Sequence, residues 1–242
     1  IVIVTSPCGS ESTPIHGMLI GKEKKTGRDK RVIAKTSIYD PILTTSMSAH
    51  HTATIGMNSL AHCIEALYAK VKNPISDQFA ISGIKALITG IPESIKNPNN
   101  LNARSNVLYG GMLSGYCVTL AGIAIHHKLC HVLGGHHGIE HGSSNSVILP
   151  YAVAYNERAA PEAMEIIKKT MGTTSASGGI YDFARKIGVP KSLMELGMCE
   201  GDLDRAAQEI LKKTFNNPKK LVEKSVRELL QQAFEGKRPV PF

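Results

Sequence analysis

The chain is 242 residues long and 42% hydrophobic, with 28 Lys and Arg against 20 Asp and Glu for a formal charge of +8. That length and apolar content build one large domain or two small ones around a packed core, and exclude a disordered polypeptide. The positive balance favours anionic ligands such as dinucleotides or dicarboxylates over nucleic acid, because the basic residues are spread out with no zinc-finger spacing, aromatic-rich strand or basic repeat to organise them.

In chain order, residues 1–4 (IVIV) read as a buried β-strand with no upstream partner, which predicts a missing amino-terminal portion. Residues 5–9 are a loop broken by Pro7 and Gly9, and a hairpin is expected from strands 18–20 and 31–33 around a charged turn, with a last strand at 37–39 before Asp40-Pro41. From there the apolar spacing turns helical, over 55–70, 74–87, 102–119, 126–133, 143–158, 161–170, 179–187, 203–214 and 219–235. The last of these carries an apolar stripe of Val222, Val226, Leu229, Leu230 and Ala233. No apolar run approaches the roughly 20 residues that span a bilayer, and the first residues form neither a signal nor a transit peptide. Five cysteines, scattered and without a CxxC pair, predict free thiols in a reducing compartment, so a cytoplasmic protein without a membrane partner is expected.

Chemistry concentrates in residues 125–150, which hold six of the ten histidines among small and apolar neighbours. Histidine titrates near neutrality and is the commonest metal ligand, so the run points to proton transfer, metal binding or both. His127 and His131 share a helix face by their spacing, and the Gly134-Gly135 break folds His141 back towards His127. His126 is turned about 100° away from His127 and is expected to pack behind it. His50, His51, His136 and His137 are expected on the surface, the last two in a Gly-flanked loop.

Four segments carry a family resemblance: IVIVTSPCGSESTPIHG from Ile1, GMNSLAHCIEALYA from Gly56, AIHHKLCHVLGG from Ala124 and SVILPYAVAYN from Ser146. Together they resemble the maleylacetate reductases, a branch of the iron-containing alcohol dehydrogenase superfamily, over nearly the whole chain. The resemblance implies a mainly α fold, the all-helical carboxy-terminal domain of a dehydroquinate synthase-like architecture. It divides the chain into residues 1–41, remnant strands and hairpin of an α/β cofactor-binding domain, and residues 42–242, the helical catalytic domain. No Gly-rich dinucleotide loop occurs in the sequence. The remaining cofactor contacts implied are Thr5, Ser6, Gly9 and Ser10, although Pro7-Cys8 departs from the family's usual pair between them.

The activity implied is reduction of maleylacetate to 3-oxoadipate with NADH or NADPH, in a homodimer acting on a small dicarboxylate, with His62, His127, His131 and His141 as the catalytic set. Metal-dependent members carry an Asp and three His at the positions of Asn58, His62, His127 and His141. Here the carboxylate is an amide, which removes a formal charge from the set and weakens its hold on Fe(II) or Zn(II). Two alternatives stay open. His141-Gly142 and Asn145 are more like the HG-x-x-N of the metal-dependent alcohol dehydrogenases, and Tyr151 replaces a histidine common to both branches. A catalytically silent helical fragment that only associates through its exposed strand edge is the other.

Overall fold

A computed structural model describes residues 1–20 and 23–242, and the side chains of these except 19, 20, 23–26, 136 and 137. The chain is mainly α-helical, with four short strands gathered before the first long helix. Strand β1 (Val2–Val4) pairs in parallel with β4 (Ser37–Tyr39), and β2 (Ile15–Ile20) pairs antiparallel with β3 (Glu23–Arg28), Ile15 opposite Arg28 and Ile20 opposite Glu23. The expected hairpin is present, but its second strand precedes residues 31–33. Those residues fall in and just after a single 3₁₀ turn, Lys30–Val32, which Asp29 caps by accepting from the backbone N–H of Arg31. The residues of the charged turn at 21 and 22 lie outside the described part of the chain. The strand at 1–4 is also less covered than its composition predicts. Ile1 is 89% and Ile3 58% exposed, and only Val4 is buried, because among the described residues this sheet has just two three-residue strands.

Nine α-helices follow among the described residues: α1 (Ala49–Tyr68), α2 (Pro74–Lys96), α3 (Leu101–Ala121), α4 (Ile125–His137), α5 (His141–Asn156), α6 (Pro161–Met171), α7 (Ala176–Lys186), α8 (Asp202–Leu211) and α9 (Glu223–Glu235). Each is close to a predicted span, and the differences have local causes. Helix α1 starts six residues early because Ser48 caps it, accepting from the His51 N–H at 3.1 Å. Helix α2 passes Gly90 and Pro92 because Gly90 lies against Ala103 and Val107, so tertiary contact with α3 outweighs the two breakers. Val222, predicted on the last stripe, is the residue before α9 and 51% exposed, while Val226, Leu229, Leu230 and Ala233 are fully buried.

The helices bury two apolar clusters. One joins α1, α2, α3, α6 and α7, and the other joins α4, α8 and α9. Helix α5 lies between them, giving Leu149 and Val153 to the first and Val147, Ile148, Tyr151, Ala152 and Tyr155 to the second. From Ser143 to Asn156 it is buried on every side, which explains its weakly amphipathic sequence. No single helix among the described residues is long and apolar enough to cross a membrane.

The loop at residues 5–10 is seated on this helical core by backbone approach. Ser59 of α1 donates to the Pro7 carbonyl, and Gly9, at a φ of 72°, rests on Gly111 and Gly115 of α3. Thr119 Oγ1 adds a hydrogen bond to the Ser12 carbonyl at 2.9 Å. The loop is therefore fixed on α3 and on α1, the helix that carries His62.

Candidate active site

Helices α1, α4 and α5 meet where the first two present Asn58, His62 and His127, and where α5 begins with His141. The four expected histidines form two stacked pairs. The His62 and His127 rings are 4.2 Å apart between centroids and inclined by 13°, and those of His131 and His141 are 5.9 Å apart and inclined by 24°. His127 is buried and His62 partly so, whereas His131 and His141 are on the exposed side. The chain reverses between α4 and α5 at Gly138, which adopts a φ of 66°, and not at Gly134-Gly135 as expected. Those two glycines stay helical, and 136–137 form the last turn of α4 instead of a loop; their side chains are outside the description. Only Gly138 needs the left-handed conformation that glycine adopts without strain. His141 then follows Glu140, whose carboxylate accepts the N–H groups of Gly142 and Ser143 at 3.0 and 2.7 Å.

Behind the rings is a network that the sequence reading did not anticipate. Glu65, fully buried, accepts the backbone N–H of His126 at 2.9 Å with Oε1, and its Oε2 lies 2.7 Å from His127 Nδ1. His126 is fully buried, Nε2 donating to the Asn145 carbonyl at 2.9 Å, in the packing position predicted for it. Asn145 Nδ2 donates to Asn58 Oδ1 at 2.8 Å, and His127 Nε2 makes a long contact of 3.3 Å to the same oxygen. Two buried polar atoms, His62 Nδ1 and Asn145 Oδ1, have no hydrogen-bond partner. One signal for Glu65 was available: it is the single Asp, Glu, Lys or Arg in the twenty residues of α1.

Burial sets the protonation of this group. It pulls His62 and His127 well below the ordinary imidazole value, neighbouring rings adding to the effect. Burial and then the His127 ring bring His126 down to about 3. The same burial raises Glu65 above the usual carboxylate value, opposed by the His126 ring and the backbone amides at the start of α4. The unfolded chain, with an ordinary value of 6.5 at His126, binds a proton below that pH that the folded chain refuses. Stability therefore rises with pH up to about 6.5 and is lost on acidification, at a cost of about 2 kcal/mol from this group at pH 5. Urea midpoints at pH 7 and pH 5 test this, the midpoint being lower at pH 5; an unchanged midpoint would show that the ring is not buried neutral.

The donors do not gather as a metal centre. Among the described residues, the one set of His, Cys, Asp or Glu atoms within 4.8 Å of one another is Glu65, His126 and His127, already joined by hydrogen bonds; His62, His127 and His141 do not form such a set. Asn58 Oδ1 is engaged by Asn145, so neither the amide nor the rings fit a divalent ion in the arrangement the family comparison implies.

At the carboxyl end of β1 a crevice of about 360 Å³ is lined by Thr5, Ser6, Cys8, Ser10 and Glu11. Gly9 does not line it and faces α3 instead. Ends of parallel strands are where α/β sheets bind cofactors, and the three hydroxyls suit a polar nicotinamide edge. Tyr151, which stands where both branches carry a histidine, is buried and donates to the Lys237 carbonyl at 2.8 Å.

Residues 52–234 match the Fe-containing alcohol dehydrogenase family, carboxy-terminal region. The chain belongs to the iron-containing alcohol dehydrogenase family. Within that family it is 40% identical over 241 residues to the maleylacetate reductase of Pseudomonas sp. (strain P51), covering all of this chain and 68% of that protein. It is 41% identical over 237 residues to the maleylacetate reductase of Burkholderia cepacia, covering 98% of this chain and 67% of that one. The crystal structure of maleylacetate reductase from Agrobacterium tumefaciens superposes with a TM-score of 0.96 at 38% identity, over 98% of this chain and 68% of that structure. The mainly helical architecture expected from sequence is thus that of the family's carboxy-terminal domain.

Proposed function

We propose that the chain is an oxidoreductase that reduces maleylacetate to 3-oxoadipate with NADH or NADPH, without a metal. Residues 1–41 serve as the edge of the cofactor-binding part and residues 42–242 carry the catalytic one. The observation that carries the metal-free reading is the tying of Asn58 to Asn145, beside four imidazoles that stack in two pairs and share no ligand point among the described residues.

Thr5, Ser6 and Ser10 would hold a nicotinamide at the crevice, where it would supply the hydride for the alkene carbon remote from the ketone; the chain would then stabilise the negative charge on the ketone oxygen and deliver the proton to the adjacent carbon. The chain's residues bind, orient and donate. His131 and His141, on the exposed side, take a substrate carboxylate, and His131 lies on the same α4 face as His127 for proton delivery. His62, held neutral by burial, offers an N–H donor to the developing oxyanion, and neutral His127, its one proton on Nδ1, presents Nε2 as the acceptor in a proton relay with His131. The small dicarboxylate, a homodimer and the cytoplasm complete this reading.

The test is oxidation of NADH and of NADPH with maleylacetate, with and without a chelator, by this chain alone and by the chain supplied with an amino-terminal dinucleotide-binding domain. Chelator-insensitive turnover is expected. Turnover abolished by chelator and restored by Fe(II) or Zn(II) would move the chain to the metal-dependent alcohol dehydrogenases, and none in either form would favour a silent association partner.

A further inference from the structure

Glu65 has no exposed surface. A carboxyl group in that position is costly unless its oxygens are engaged, and here both are, by two successive residues of α4. The first contact, to the His126 N–H, satisfies one of the four amides left open at the start of a helix and joins α4 to α1. The second falls on a ring. His127 is bounded by Glu65 at 2.7 Å and the His126 Nδ1 at 3.1 Å on its Nδ1 side, by the parallel ring of His62, and by Asn58 near Nε2, with Asn145 fixing Asn58 in turn; the carboxylate is the nearer and stronger acceptor at Nδ1. Among the described residues His62, His127 and His141 share no ligand point, so the groups just named set the direction of this imidazole.

We propose that Glu65 is a positioning residue for the reduction: by accepting from Nδ1 of His127 it fixes the plane of that ring and aims Nε2 into the site. The inference rests on the reading of His127 as part of the reductase site. Glu65 itself touches no substrate. Its effect passes through one side chain, and that distinguishes it from a glutamate that merely clamps α4 to α1 through the His126 amide.

Two measurements on the full chain test it. In the first, Glu65→Gln, His127→Gln and the double variant are assayed for kcat and KM with maleylacetate. Glu65→Gln keeps the side chain's shape and an oxygen for the His126 amide, and is expected to lower kcat roughly tenfold to a hundredfold, the usual effect of removing a partner that orients a site histidine, with KM little changed. The double variant is expected to be no slower than His127→Gln alone. Losses that multiply in the double variant would overturn the proposal, since Glu65 would then act independently of His127. In the second, proton NMR of the chain labelled with ¹⁵N-histidine is expected to show one Nδ1 proton protected from exchange, lost in Glu65→Gln and in His127→Gln. Absence of that proton from the unmodified chain would overturn the proposal whether or not Glu65→Gln folds. A chain that shows the proton but does not reduce maleylacetate would instead overturn the substrate reading and leave the Glu65–His127 contact standing.

Discussion

His127→Gln is expected to lower kcat/KM for maleylacetate by roughly a hundredfold to ten-thousandfold, the range spanned by loss of a positioned proton donor or acceptor. Three features of the ring support so large an effect. It is 3% exposed, so water does not substitute for it readily. Its two nitrogens face different groups, Glu65 Oε2 at 2.7 Å and Asn58 Oδ1 at 3.3 Å, so the ring cannot turn over without breaking the shorter contact. It also stacks on His62, so its removal loosens a second member of the set. Gln retains a hydrogen-bonding group at similar length, so far-ultraviolet circular dichroism and the thermal midpoint should stay near those of the unmodified chain. Steady-state assays decide the matter. Turnover within about threefold of the unmodified chain would remove His127 from the proton-relay role given to it.

Gly115→Ala is expected to destabilise the chain by about 3 kcal/mol, at the upper end of the usual cost of forcing a group into a packed site. A methyl group built at Gly115 would fall within the van der Waals shell of the Gly9 carbonyl oxygen, with the Gly9 carbonyl carbon at 2.9 Å and Ser12 Cβ at 3.0 Å. The obstructing atoms are mainly backbone, so no rotamer change relieves them. Nor can the loop shift easily, because Pro7 is anchored to Ser59 and Ser12 to Thr119. The thermal midpoint should drop by roughly 6–12 °C for a chain of this size. The Michaelis constant for NADH should rise at the same time, since the displaced loop carries Thr5, Ser6 and Ser10. A midpoint within a degree of the unmodified chain would show that α3 and the loop are not in such close contact.

Much of this architecture was legible in the residues. Helical spacing placed nine helices, because an amphipathic helix must repeat its apolar residues every three to four positions to bury one face. The errors fell where that rule is silent. Helix α2 continues past Gly90 and Pro92 on the strength of its contact with α3, and α4 continues through Gly134-Gly135 because only Gly138 adopts a positive φ. The hairpin's second strand was placed too late, since a charged segment such as 23–28 shows no apolar alternation by which to recognise it.

The sequence by itself determined the family, the helical class and the identity of the histidines, because those depend on residue type and spacing along one chain. Tertiary structure decided how the histidines are used. The pairing of His62 with His127 and of His131 with His141, the tie between Asn58 and Asn145 across 87 positions, and the approach of Glu65 to His127 across 62 are contacts between separate helices. No periodicity records them. Burial is likewise a property of the packed chain: Glu65 in the sequence is one acidic residue among many, and it becomes a fixed partner for an imidazole only when α4 and α5 close over α1 and take the water away.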